Sequence, residues 1–354
     1  MSIGLNVVLV VPTGVGAAIG GYAGDALPVA RAMAAVVDNL ITHPNVVNGA
    51  SLYWPMPNLW YVEGYALDRF AMGAIALRPT LGNRVGVILD RGIEPELQVR
   101  HRQAIAAARA TLGLCIPEVV ETDQPLAVHL QLSEAGVAWG TLRQADSLLR
   151  AVDVVRDRVE AIAVVARFPD DPDSPLLQAY RQGRGVDALA GAEAVISHLV
   201  TRHCGLPCAH APALPPLPLD PTVAERACAE ELGYTFLPCV LAGLSRAPRL
   251  CDRPEPGDLQ AHHVQAVVTP YNACGGAALL ALAARGALPI FVRENTTTLA
   301  VTPTALGLSG FTVANYREAI GVLAALKAGV DPYRLGLDPS LVAAGPPAAP
   351  IPDR

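Results

Sequence analysis

The sequence has no long uninterrupted apolar run, no dense basic run and few charges of either sign. Its 354 residues are 52% hydrophobic, yet that content is largely Ala and Val broken up by 31 Gly and 31 Pro, so no segment reads as a membrane span. The 26 Lys and Arg form no cluster and the net charge is −6, so nucleic acid is not an expected partner. Charged residues at 16% are too few to hold a chain open, and the length suffices for a large core. The start "MSIGLNVVLVVP" lacks the basic region and cleavage site of a secretory signal, and the seven Cys are an odd number. Free thiols in a cytoplasmic protein, with no membrane partner, follow as the expectation.

What is present is a repeated alternation. Short β-branched runs occur at 6–11 ("NVVLVV"), 84–90, 160–166, 264–268 and 288–292, the pattern of strands buried on both faces. Helical patterns begin at about residues 25, 96, 144, 276 and 315. The expected fold class is α/β, mainly parallel sheets with flanking helices, in two α/β halves with the site in the cleft between them. The proline-rich "GLPCAHAPALPPLPLDP" at 205–221 suggests a crossing between halves, which places the units at 1–204 and 205–342 with a flexible tail at 343–354. Residues 51–70 hold two of the three Trp and three of the nine Tyr, and read as a lid-like segment.

Several loops carry polar chemistry. "VVPTGVGAAIGGYAGDA" at 10–26 follows the first strand, and Thr13, Gly14 and Gly16 would let backbone amides approach a phosphate or carboxylate. The spacing is G-x-G-x-x-x-G, one residue longer than the dinucleotide fingerprint, with no acidic ribose partner and no Gly-Lys-Ser/Thr sequence. Tight turns packing a strand on a helix explain the same residues, and Asp25 reads as a helix cap. "ITHPNVVNG" brings His43, Asn45 and Asn48 to a strand's carboxyl end, as binding groups or as ordinary turn residues.

Cys274, in "TPYNACGGAALLALAARG", is expected in or near a first helical turn, where free amides favour thiolate. Asn272, Gly275 and Gly276 would then supply donors and room for a substrate; the alternative is a small buried residue. In "TRHCGLPCAHAP" Cys208 and His210 are two apart and would point to one side of an extended segment as a thiol–imidazole pair. A zinc site from His203, Cys204, Cys208 and His210 is crowded into too few residues, and no metal is expected. Arg246 suits an anion clamp. Glu294, Asn295 and Thr296 crowd another strand end, either to bind a small polar molecule or to close a turn.

Taken together, "PTGVGAAIGGYAGDALP", "THPNVVNGASLYW", "YVEGYALDRF", "PCAHAPAL", "FLPCVLAGLSRAP", "PYNACGG" and "ENTTTLAVT" resemble a family of unknown function found in cyanobacteria, other bacteria and plants. The resemblance spans nearly the whole chain and implies no reaction. "PCAHAP" and "PYNACGG" are also similar to the Cys loops of aspartate/glutamate-type racemases, although the first strand's loop carries Thr13 and glycines where those enzymes carry Cys.

The functional expectation is an enzyme acting on a small carboxylate-bearing or phosphorylated metabolite, an isomerase, racemase, lyase or hydrolase without cofactor. Cys274 would serve as the thiol, with Cys208 or His210 assisting. The alternatives are a nucleotide-binding oxidoreductase that uses the loop at 13–21, and a non-catalytic ligand-binding or scaffold protein. A homo-oligomer is compatible with each.

Overall fold

The computed structural model describes residues 4–47, 54–169, 171, 173–233 and 236–335. Its strands are, from the amino-terminal side, β1 (Asn6–Leu9), β2 (Asn39–Thr42), β3 (Leu59–Tyr61), β4 (Ala76–Arg78) and β5 (Val85–Leu89). The middle of the chain adds β6 (Glu118–Glu121), β7 (Val128–Leu132), β8 (Ala138–Leu142), β9 (Ala161–Arg167) and β10 (Cys208–Ala213). Last come β11 (Arg249–Cys251), β12 (Ala266–Pro270), β13 (Leu288–Val292) and β14 (Phe311–Val313).

Ten of these strands build two parallel sheets, ordered β14-β13-β12-β1-β2-β3 and β10-β9-β5-β6. β4 pairs antiparallel with β11, and β7 with β8. Val7, Val8 and Leu9 are fully buried because helices cover both faces of the first sheet, which is why β1 reads as an unbroken apolar run. The five expected strand runs and five expected helices are all present, and the α/β class with mainly parallel sheets is the observed one.

The chain does not divide at residue 205. Its last three strands return to pair beside β1, with Val7 opposite Ala266. β10 is hydrogen-bonded alongside β9 from Cys208 to Ala213, in the sheet of the preceding 120 or so residues. Proline content argued against a strand there, but β10 is an edge strand, where the donor missing at Pro212 has no partner to lose. The aromatic segment differs from expectation as well. Residues 51–53 lie outside the described residues, as does the tail at 343–354. Trp60 and Tyr61 belong to edge strand β3, and Glu63 caps the helix Gly64–Ala71 by accepting from the Ala66 amide at 3.1 Å. A paired strand and a packed helix are body, not lid.

One apolar cluster runs from Leu9 and Leu40 through Tyr61 and the helix Leu237–Leu244 to Val87 and Ala163, so the two sheets share a core. Each fully buried Leu or Val here contributes about 2 kcal/mol. Among the described residues no helix is long and apolar enough to cross a membrane.

Candidate functional site

A cavity of about 760 Å³ opens where both parallel sheets present their carboxyl edges. The loop after β1 contributes Thr13, Gly14 and Gly20 through Ala23, the turn after β2 contributes Asn45, and the exit of β9 contributes Pro169. His210, Pro212 and Leu214 come from β10 and its exit, and Leu176, Leu177, Leu217 and Phe236 add apolar wall. Parallel sheets place ligands at this edge because helix starts and irregular loops gather there.

The glycine loop is held in shape from outside. Gly14, Gly16 and Gly20 have φ of +70°, +59° and +91°, values that strain other residues. Gly14 also fits against β8, where its carbonyl accepts from the Ala138 amide at 2.8 Å. The amide of Ala18 donates to the Thr296 carbonyl (2.8 Å), that of Ile19 to Asn295 Oδ1 (2.9 Å) and that of Gly20 to the Asp25 carboxylate. These three amides are therefore taken, and none is free to cradle a phosphate. Asp25 does not cap the helix Leu27–Ala34; it binds Gly20 and pairs with Arg226 at 2.5 Å, and burial raises its carboxyl.

The imidazole of His210 is gripped at both nitrogens. The helix Ala190–Cys204 lies so close on β8 that a Cβ at Gly140 would stand 2.5 Å from that of Ala192. This approach presses Glu193 and Ser197, one turn apart, against β10. Ser197 Oγ is 2.7 Å from His210 Nδ1, and Glu193 Oε2 is 3.3 Å from Nε2, with the His210 side chain 4% exposed. His210 and Glu193 border the cavity, while Ser197 stands behind them.

Two further carboxyl groups face the same space. Glu230, on the helix Glu225–Glu231, accepts from the Tyr180 hydroxyl at 2.5 Å and from the Ala23 amide at 2.9 Å. Burial pushes its carboxyl up to about 7. Asp187 is raised well above the usual carboxylate range by burial and by repulsion from Glu230 and Glu193. Tyr22 stacks on Tyr180 at 4.1 Å and donates to its carbonyl at 3.0 Å, tying the glycine loop to this wall. An imidazole and a carboxyl pushed up to about 7 in one enclosure can give and take protons at a bound molecule.

Of the residues singled out in the sequence, Thr13, Gly14, Asn45 and His210 line the cavity. Gly16 sits beside Val186 within the same loop region, and Asn48 lies outside the described residues. Cys274 requires a correction. It is fully buried in a cluster with Val8, Phe70 and Phe291, its sulfur faces the Tyr271 carbonyl at 3.3 Å, and burial pushes the thiol up to about 11. The helix begins only at Ala277, and the Cys274 amide donates to the Val301 carbonyl, a bridge that accompanies the inward side chain. Cys208 is likewise buried and raised, in a different cluster, so Cys274 and Cys208 do not face a common space.

Cys208 and His210 share a face of β10, as their spacing implies, yet the ring's partners are Ser197 and Glu193. His203 pairs with Asp153 at 2.9 Å. His43 accepts from the Val11 amide at 3.2 Å, and burial pushes it down to about 4, which makes it a neutral joint between the exits of β1 and β2. Asn272 spans the loop at 297–299 through bonds to Thr297 and Leu299. Asn295 is fully buried as a clamp on Ile19, Glu294 accepts from the Tyr316 amide at 2.7 Å, and Thr296 holds Ala18. Arg246, Gly275 and Gly276 are exposed and outside the cavity lining. The sequence reading missed Glu193, Ser197, Asp187, Tyr180 and Glu230. The one local signal was Glu193 and Ser197 at i, i+4 in a helix whose buried residues also include Ile196 and Val200.

Residues 6–336 match the model of a family described as "Protein of unknown function (DUF3326)". The chain is similar to an uncharacterized lipoprotein of Synechococcus sp., 58% identical over 334 residues that cover 94% of this chain and 93% of the relative. No solved structure matches. The family resemblance carried by the sequence motifs is thus shown, whereas neither match bears the likeness to racemases. The cytoplasmic expectation is corrected by this relative, which is named a lipoprotein. Thiol count and the first few residues are indirect signs of compartment, and identity over nearly the whole chain outweighs them.

Proposed function

We propose a function for this chain, which belongs to the DUF3326 family of proteins of unknown function, from its cavity: it binds a small amphipathic molecule there and moves a proton on it. The carrying observation is the convergence of His210, paired with Glu193, and Glu230, raised to about 7, in one largely apolar enclosure. The His210–Glu193 pair takes a proton from an acidic position of the ligand, received on the Glu193 carboxylate that borders the cavity and is held by His210 Nε2–H; Glu230, about half protonated at neutral pH, returns one at a second position. The ligand is isomerised with no net change in protons, and solvent resets the two side chains. Asn45 and Thr13 supply hydrogen-bonding groups at the glycine-loop side.

This reading replaces a thiol mechanism, since burial opposes the thiolate at both Cys274 and Cys208. It is also favoured over a nucleotide site at the glycine loop, because the loop amides of Ala18, Ile19 and Gly20 are already bonded and the Glu230 carboxyl is seated on that loop at the Ala23 amide. The relative's description as a lipoprotein favours a membrane-associated setting for this chain.

The test is proton exchange. Incubated in D2O with a small-molecule extract of Synechococcus cells, the protein is expected to introduce deuterium into at least one compound, as read by mass spectrometry. His210→Gln and Glu230→Gln are expected to abolish that label. If no compound gains deuterium, or the variants label as well as the parent protein, the reading fails. A compound retained without exchange would leave a binding protein and remove the catalysis.

A further inference from the structure

We infer that the cavity contains a second, oxyanion-receiving subsite formed by His101 and Arg100; this rests on the cavity being the ligand site. Both residues lie on the helix Pro95–Leu112, which follows β5, and both border the cavity. Leu97, His101, Ile105 and Ala108 form its buried stripe. The apolar members of that stripe belong to the same apolar cluster as Ala209, Ala211 and Ala213, one face of β10, whereas Cys208 belongs with Ile196 and Val200 to the cluster on the other. His101 and Glu193 therefore approach the cavity from opposite faces of the same sheet.

His101 is the polar member of an apolar stripe and only 8% exposed. Its Nδ1 is 2.7 Å from the Leu97 carbonyl, which can only accept, so the Nδ1 position carries the hydrogen. Nε2 has no partner among the described residues. It is not one of the sealed unpaired side-chain atoms, so it meets the open space of the cavity, where a ligand or water completes it. Arg100 is held loosely: its ion partner is Glu96 at 3.9 Å, on an exposed helix face.

A carboxylate or phosphate entering here meets the Arg100 guanidinium and provides the acceptor that lets Nε2 take up a proton and donate. Pro212, Leu214 and Phe236 line the same cavity and suit an apolar body attached to that anion. The ligand class is thus a small apolar molecule carrying one oxyanion, held by it on the His101 side while its reacting part lies toward His210. A neutral His101 would instead accept from a ligand hydroxyl, and the choice between these is measurable.

The full chain, with 15N-labelled histidine, is titrated with hexanoate, hexyl phosphate and hexan-1-ol, and the His101 and His210 ring signals are followed. At least one of the two anions is expected to saturate and drive His101 toward the imidazolium signal, binding about tenfold or more tighter than hexan-1-ol, which equals about 1.4 kcal/mol. The stronger of the two anions identifies the group. Arg100→Gln, an exposed change that leaves the fold intact, is expected to weaken that anion about tenfold, as is His101→Gln. Hexan-1-ol binding as tightly as both anions, or anions that move only His210 or neither ring, overturns the subsite. Loss of deuterium exchange with His101 still titrating would instead overturn the proton-transfer reading alone.

Discussion

Ser197 Oγ lies 2.7 Å from Nδ1 of His210, while the opposite ring nitrogen meets Glu193 at 3.3 Å. An ionised Glu193 can only accept, so Nε2 carries the hydrogen and the Ser197 hydroxyl donates to Nδ1 when the ring is neutral. Ser197 is in this sense a positioning residue. Ser197→Ala is expected to lower stability by about 1 kcal/mol in urea unfolding and to mix the two ring tautomers in 15N spectra of His210. A single unchanged tautomer would show that Glu193 alone sets the ring.

Glu230 makes stability depend on pH in an unusual direction for a carboxylate. Its folded value of about 7 exceeds the ordinary 4.5, so the folded protein holds a proton that the unfolded chain has released. Stability from this group is full below about pH 4.5 and is lost as pH rises through about 7. Glu230→Gln keeps an acceptor for Tyr180 and Ala23 without the charge. The Tm of the parent protein is expected to fall relative to that variant between about pH 5 and about pH 8; parallel curves would contradict the assignment.

Cys274 is expected to resist alkylation. A thiol raised from the ordinary 9 to about 11 carries about 100-fold less thiolate at neutral pH, and here it is also sealed from solvent. Iodoacetamide followed by peptide mass spectrometry should mark exposed Cys115 well before Cys274. Cys274→Ala should leave deuterium exchange intact.

Asn295 is expected to matter for the glycine loop although it touches no ligand. It bonds the Ile19 amide and carbonyl and donates to the Tyr316 hydroxyl at 2.7 Å. Asn295→Ala removes all three and should cost about 3 kcal/mol in unfolding free energy, with faster hydrogen exchange at Ile19. Equal exchange at that amide would mean that the loop is held by its glycine geometry alone.

The legible parts of this protein were those written in local pattern. β1 and β12 were visible as apolar runs because strands covered on both faces have no polar side to show. β10 was harder to see because Pro212 reads as a breaker until the strand is known to lie at an edge. The burial of Cys274 is not legible in the sequence, because the composition of a strand-to-helix turn is the same whether the sulfur points outward or into Phe70 and Phe291. His210 stands out in the sequence, but the residue its spacing puts beside it is Cys208. Its true partners come from a helix whose seating depends on Gly140 and Gly191, where the chain leaves no room for side chains.

By itself the sequence determined the alternation of strands and helices and the parallel class of the sheets, since periodicity and burial act over a few residues at a time. It also marked the glycine loop as a place of close approach. The tertiary structure decided that residues near positions 13, 101, 187, 210 and 230 surround one cavity, and that the thiols do not. Proton affinity depends on burial and on neighbouring charge, both made by contacts between segments far apart in the chain, so the chemistry of Glu230 and Asp187 came into being only when those segments met.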